Sequence, residues 1–227
     1  GFQWKLERWT GKTDLTPQTV PEHFDYDFWL GPAPAKPYNW HRTHQTFRGY
    51  WDYDGGGLGD MGQHYLDPVQ YILGKDEESP VSVEIDADPQ HHDAVGVWRQ
   101  IILTYADGCR IVLDGEGNDT NAKYIEGPKG WMGQRFESNI PNLRQKVAQL
   151  PPLEPMVTDF HESVRTRKKF ALNEDISFRS TTLINLAKIA FRLNKNLKFN
   201  GETLRFDDEE ANKLVHQPMR GPWKIET

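Results

Sequence analysis

The sequence predicts an α+β fold: an open, mainly antiparallel β-sheet with helices on one face. Three observations lead there. Residues 81–88 (VSVEIDAD) alternate apolar and polar side chains at period two, as a half-buried strand does. Two further strand-like runs, 97–105 and 109–114, flank Ala106-Asp107-Gly108, a tight hairpin signal. Helical patterns at 156–168 and 176–194 come after these hairpin strands rather than between them, which is the order of an α+β fold and not of alternating βαβ units.

Taken in order, residues 1–10 read as a short strand, with Phe2, Trp4 and Leu6 alternating against Gln3, Lys5 and Glu7. Residues 11–50 are punctuated by Pro17, Pro21, Pro32, Pro34 and Pro37, which forbid long helices and inner strands. So long a connection, this rich in rings, reads as a binding loop. Residues 60–73 read as a helix capped by Asp60 and stopped at Gly74, with Pro68 kinking it or ending its first turns. Residues 121–126 make a fourth strand, before a turn at Gly127-Pro128-Lys129-Gly130. Helix 156–168 carries Val157, Phe160 and Val164 on one face. Helix 176–194 carries Leu183, Leu186, Ala187, Ala190 and Leu193 as its inner stripe, with Lys188, Arg192 and Lys195 favouring its C-terminal end. From residue 200 the chain reads as short turns and a solvated acidic run, Asp207–Glu210.

Composition removes several classes of function. The 227 residues carry a net charge of −6, which argues against nucleic acid as a partner. With 12% aromatic residues the chain is not of disordered composition, and it has no apolar run long enough to span a membrane. The opening GFQWKLERW does not read as a charged n-region followed by an apolar core, so these residues are not expected to be a signal peptide, and the compartment stays open. A single cysteine, Cys109, excludes an internal disulfide and a cysteine zinc cluster. Eight Trp, eight Tyr and eleven Phe, crowded towards the first 71 residues, suit either a ring-filled core or walls against which sugar rings stack.

Gly57-Leu58-Gly59-Asp60-Met61-Gly62 fits G-x-G-x-x-G, but Trp51-Asp52-Tyr53-Asp54 before it is no buried strand and no βαβ unit follows, so a dinucleotide fingerprint is not expected. The chemistry-bearing pair is Asp60 and His64. Four residues apart, they share a helix face, where a carboxylate can orient an imidazole and suit it to act as a general base near neutral pH. Upstream lie His41, Arg42, His44 and Arg48, the last among Phe47, Tyr50 and Trp51, where rings can hold a cation. His41, His44, His64 and Asp60 could also be read as the ligands of a metal hydrolase, but no ligand spacing supports this and no metal is expected.

Several stretches together carry a resemblance. They are Phe28-Trp29-Leu30-Gly31-Pro32-Ala33, Phe47-Arg48-Gly49-Tyr50-Trp51-Asp52-Tyr53 and Gly55-Gly56-Gly57-Leu58-Gly59-Asp60-Met61-Gly62-Gln63-His64, then Asn173-Glu174-Asp175-Ile176 and the closing Arg220-Gly221-Pro222-Trp223. Over essentially its whole length the chain resembles the C-terminal domain of the glucose–fructose oxidoreductase / inositol dehydrogenase (Gfo/Idh/MocA) family. The resemblance implies that residues 1–227 are a single substrate-binding and oligomerisation domain whose N-terminal Rossmann partner, with the family's catalytic lysine, is absent here. It implies NAD or NADP in the full-length protein and none bound by these residues, which alone would be inactive. It also implies that His64 takes a hydroxyl proton from a sugar, sugar derivative or cyclitol while Asp60 orients it, with Arg48, Trp51, Tyr53, Trp40 and His44 as substrate contacts. The alternative is a non-catalytic carbohydrate-binding or assembly domain. A sheet with helices on one side leaves its other face bare; with Val97, Arg99, Ile101, Leu103 and Tyr105, or their alternates, pointing outward, it is expected to join copies sheet to sheet in a homo-oligomer.

Overall fold

Strand alternation does build the sheet, and the helices that cover it are fixed by where their apolar stripes fall. The computed structural model describes residues 6–116, 123–152 and 156–225. Its elements are α1 (Tyr26–Leu30), α2 (Gly56–Ile72), β1 (Ser82–Ala87), β2 (Trp98–Thr104), β3 (Arg110–Asp114), β4 (Ile125–Gly127), β5 (Gly130–Met132), α3 (Leu143–Ala148), α4 (Phe160–Thr166), α5 (Glu174–Leu193), β6 (Leu197–Asn200), β7 (Arg205–Phe206) and α6 (Glu209–Val215). A five-stranded sheet runs in the order β3-β2-β1-β6-β7, every pair antiparallel. The β2–β3 hairpin turns where the Asp-Gly signal lies, with Gly108 at φ 86° and its N–H donating to the Tyr105 carbonyl at 3.0 Å.

Val83, Ile101, Leu103, Ile111 and Leu113 point to one face and are buried against α5, which lies on the sheet with α2 packed alongside it. The helix's inner stripe supplies Leu183, Leu186, Ala187, Ala190 and Phe191. Phe191 is fully buried, its ring edge-on to Trp51 at 5.4 Å and to Trp98 at 5.5 Å. Burying one such ring contributes about 1.5–3 kcal/mol. Asn173 starts α5 by accepting the N–H groups of Asp175 and Ile176, donors that the helix itself leaves unpaired.

Several expectations are corrected. Residues 6–9 form a 3₁₀ turn rather than part of a strand, and residues 1–5 lie outside the described residues. The strand expected at 121–126 is the short β4, which pairs only with β5 in a separate hairpin; residues 121 and 122 are not described. The remaining strands of the sheet come instead from the tail, where β6 and β7 pair and Phe199 and Phe206 meet at 5.2 Å. The acidic run there is not simply solvated, because Asp208 caps α6 and pairs with Lys195 at 3.1 Å. Helix 156–168 shortens to α4, buries no side chain and does not cover the sheet; α5 does, with α2 packed against α5. Pro68 does not end α2, which runs on to Ile72 before Gly74 closes it at φ 64°. Ile101, Leu103 and Tyr105 point inward, so the bare face carries their alternates, with Glu84, Ile102 and Val112 in register across three strands.

The proline-rich stretch before α2 is a second, smaller core. Tyr26, Leu30 and Tyr38 are buried, with Phe24, Trp29 and Tyr53 packed on them. Beside it Arg42 pairs with Asp93 at 2.6 Å, and Lys36 bridges Asp93 and Asp52. Rings and buried ion pairs thus hold a segment that has almost no regular backbone pairing.

Candidate functional site

The site begins at a turn that only glycine allows. The Tyr50 carbonyl accepts the N–H groups of Tyr53, Asp54 and Gly55, curling the chain sharply, and Gly55 and Gly56 follow at φ 89° and 76°. Side-chain-bearing residues rarely adopt that conformation. α2 therefore starts at Gly56, with Gly55 in the cap position, and Asp60 is not the cap but stands in the second turn.

Two contacts set the helix's rotation. Gly62 lies against Ile184 of α5, close enough that a Cβ would come within 3.1 Å of Ile184 Cγ1, and Gln63 donates to the Ser180 hydroxyl at 2.5 Å. With that side turned to α5, Asp60 and His64 share another face of the helix, one turn apart. Arg48 donates through Nε to the Asp60 carboxylate and through its guanidinium to the Gln45 carbonyl at 3.2 Å. Its cation sits 5.0 Å from the Phe47 ring centre and 5.6 Å from that of Trp9. Asp60 is thus taken by Arg48 rather than by the imidazole. His64 is exposed and makes no hydrogen bond or ion pair among the described residues. Its ring is free to meet a ligand.

Beneath this pair lie two groups that sequence reasoning missed. Lys188 of α5 reaches under the glycine turn and donates to the Asp54 carbonyl at 2.6 Å. It packs so closely on Gly55 that a Cβ there would come within 2.3 Å of Lys188 Cε. Its role is therefore not at the C-terminal end of α5. Burial pushes its ammonium down from the usual lysine value, and the nearby Asp54 opposes that shift. Burial likewise pushes the Asp54 carboxyl up to about 6, with Lys188 opposing and Asp60 adding to the rise. One oxygen of that carboxyl is buried without a hydrogen-bond partner. The signals were present as a lone lysine within an apolar helix stripe and an acid directly before three glycines. Neither type marks chemistry until the fold brings them together.

The raised Asp54 value makes a pH prediction. A proton held by the folded protein but released by the unfolded chain favours folding. The Asp54 contribution is therefore present at the acid end and lost as the pH rises from about 4 towards 6. Thermal melts of Asp54→Asn across that window should show a flatter pH dependence than the parent protein. An unchanged slope would mean that Asp54 does not titrate there.

The other candidates separate. Trp51 is buried at 5% exposure and its indole N–H donates to the His91 carbonyl at 3.0 Å. Tyr53 packs edge-on against Trp29 at 5.2 Å, and burial pushes its phenol up. Trp40 is half exposed, with the Lys12 ammonium 5.6 Å from its ring centre. His44 is exposed and lies 6.0 Å from the Phe24 ring, while His41 is buried with Nδ1 2.7 Å from the Tyr50 hydroxyl. Arg48 and Asp60 are the candidates that the structure brings into contact. Among the described residues no three His, Cys, Asp or Glu side chains gather to hold a metal. A cavity of about 400 Å³ lies elsewhere, between α5, β7 and α6; of the candidates, Trp51 lines it, beside Lys188.

An open antiparallel sheet under α5 and α2, with a glycine turn launching a helix that carries D-x-x-x-H, is the pattern whose family can now be stated. The model of the Gfo/Idh/MocA oxidoreductase family's C-terminal alpha/beta domain matches residues 1–225. The chain belongs to that family. Among curated proteins none matches it. The Gfo/Idh/MocA family is generally NAD(P)-dependent, so the glycine run must be tested as a cofactor cradle. It does not fit one. Gly57, Gly59 and Gly62 lie within α2, where Gly59 is packed on the Asp54 carbonyl and Gly62 on Ile184, leaving no bed for a pyrophosphate. Nor does any helix in the described residues have the length and apolarity to cross a membrane.

Proposed function

We propose that this Gfo/Idh/MocA domain is the substrate-binding and proton-transfer half of an NAD(P)-dependent oxidoreductase acting on a sugar, sugar derivative or cyclitol. The observation that carries the reading is the exposed, unpartnered imidazole of His64 beside an Asp60 carboxylate already neutralised by Arg48. An unpaired imidazole can accept a hydroxyl proton as a general base. The Arg48–Asp60 pair offers both donors and acceptors to neighbouring hydroxyls, and Trp9 and Phe47 place ring faces beside it. Hydride departure from the same carbon belongs to a nicotinamide held outside these residues. Residues 1–227 act as one unit, and the bare sheet face, with Ile102 and Val112 at its centre, joins copies in a homo-oligomer.

The test is the full-length protein incubated with NAD or NADP and a panel of sugars and cyclitols, read at the nicotinamide absorbance. Reduction with one sugar class, and none from the 227-residue chain alone, is expected. Absence of reduction with every substrate, alongside retained sugar binding, would turn the reading to a carbohydrate-binding domain.

A further inference from the structure

Between β3 and α5 the described residues, 123–152 and 156–170, bury almost nothing. From Glu116 to Arg179, Gly133 is the one described residue that is buried. Phe136, Val147, Leu150, Met156, Phe160 and Val164 stand between 41% and 66% exposed. Among the described residues, the hydrogen bonds and ion pairs of 123–170 end inside the segment or at residues 171–175 just beyond it. Its ring contacts are internal too, as in Phe160 on Phe170 at 6.0 Å. Ordering a residue costs about 1–2 kcal/mol of backbone entropy, and a segment whose described residues bury no apolar side chain recovers little of that. Such an arm holds its shape by docking on something else.

Charge identifies the partner. Residues 123–170 hold nine Lys and Arg against five Asp and Glu, a surplus of four positive charges in a chain of net −6, which leaves the rest of the chain at −10. The arm starts from β3, the edge strand of the sheet, whose bare face presents Glu84 beside Ile102. We propose that the described residues 123–152 and 156–170 form an assembly arm that docks its apolar side chains and basic surface on the acidic body of a second copy of this chain. The proposal rests on the reading of the protein as a homo-oligomer and adds to it the element that reaches across. Two copies exchanging arms about a two-fold axis bury both arms at once and leave no open end.

Sedimentation of the full-length protein over a micromolar concentration series tests this, with Leu150→Asp/Phe160→Asp in the arm and Ile102→Asp on the sheet face. The parent protein should sediment as a dimer or larger and loosen at high salt. The arm variant should weaken association by about 100-fold or more, the scale of two buried apolar anchors, without loss of the body's circular dichroism, since both side chains are exposed in the protomer. Hydrogen exchange at 143–166 should be slow in the assembly and fast on dilution. A monomeric parent protein, or an arm variant that assembles like the parent, overturns the proposal. So does slow exchange in the arm that survives in the monomer, since the arm would then be seated on its own chain. If Ile102→Asp dissociates the copies and the arm variant does not, the sheet-face reading stands and the arm proposal falls. The reverse result leaves the arm proposal standing alone.

Discussion

Replacing His64 with alanine in the full-length protein should lower turnover by about two to four orders of magnitude, the usual worth of a positioned general base. KM for the sugar-like substrate should change far less. The split follows from the geometry. His64 is exposed and makes no hydrogen bond or ion pair among the described residues, so removing it disturbs neither the packing of α2 against α5 nor the Arg48–Asp60 pair. Steady-state kinetics followed at the nicotinamide absorbance, with circular dichroism as the check on folding, reads the effect. Turnover equal to the parent's would remove the proton-acceptor role and favour the carbohydrate-binding alternative. A large rise in KM at constant kcat would make His64 a binding group instead.

Gly59→Ala should be the most damaging small substitution around the site. A Cβ at Gly59 would fall 1.9 Å from the Asp54 carbonyl oxygen and 2.8 Å from its Oδ1. The first of these is backbone, held from its other side by Lys188, so no side-chain rotation relieves the clash. The start of α2 must move, at a cost of about 3 kcal/mol or more, in the range of overpacking and broken polar networks. For a domain of this size that lowers the melting midpoint by roughly 6–12 °C. Because the same turn aims Asp60 and His64, activity in the surviving folded fraction should fall as well. A melt within a degree or two of the parent would show that the turn is looser than drawn.

These two expectations differ in how far the sequence reaches. The D-x-x-x-H spacing is a local fact: four residues on any α-helix return to the same face, so the Asp60–His64 juxtaposition was legible before any fold was known. The choice of partner for Asp60 was not. Arg48 lies twelve residues upstream across a turn whose shape depends on two consecutive positive-φ glycines, and Lys188 arrives from a helix 134 residues away from Asp54. Trp51 and Tyr53 looked like candidate sugar platforms because an aromatic residue in a loop has the same local signature whether it faces solvent or a core. Long-range packing, on Phe191 for Trp51 and on Trp29 for Tyr53, is what places each ring.

What the sequence determined by itself is the periodic part of the molecule. Val83, Ile101, Leu103, Ile111 and Leu113 alternate within single strands and Leu183 to Phe191 recur along one helix, so the central strands, the β2–β3 hairpin and α5 follow from local periodicity and an Asp-Gly turn. Tertiary structure decided the rest. β6 and β7 join the sheet although Leu197-Lys198-Phe199-Asn200 alternates over only four residues and β7 spans two, because each takes its hydrogen-bond partners from a neighbouring strand. Residues 156–168 carry a sound helical period, yet α4 stays off the sheet and buries none of its side chains, while α2 packs against α5. A period tells which side of an element is apolar; which surface that side meets depends on what else the chain has already placed there.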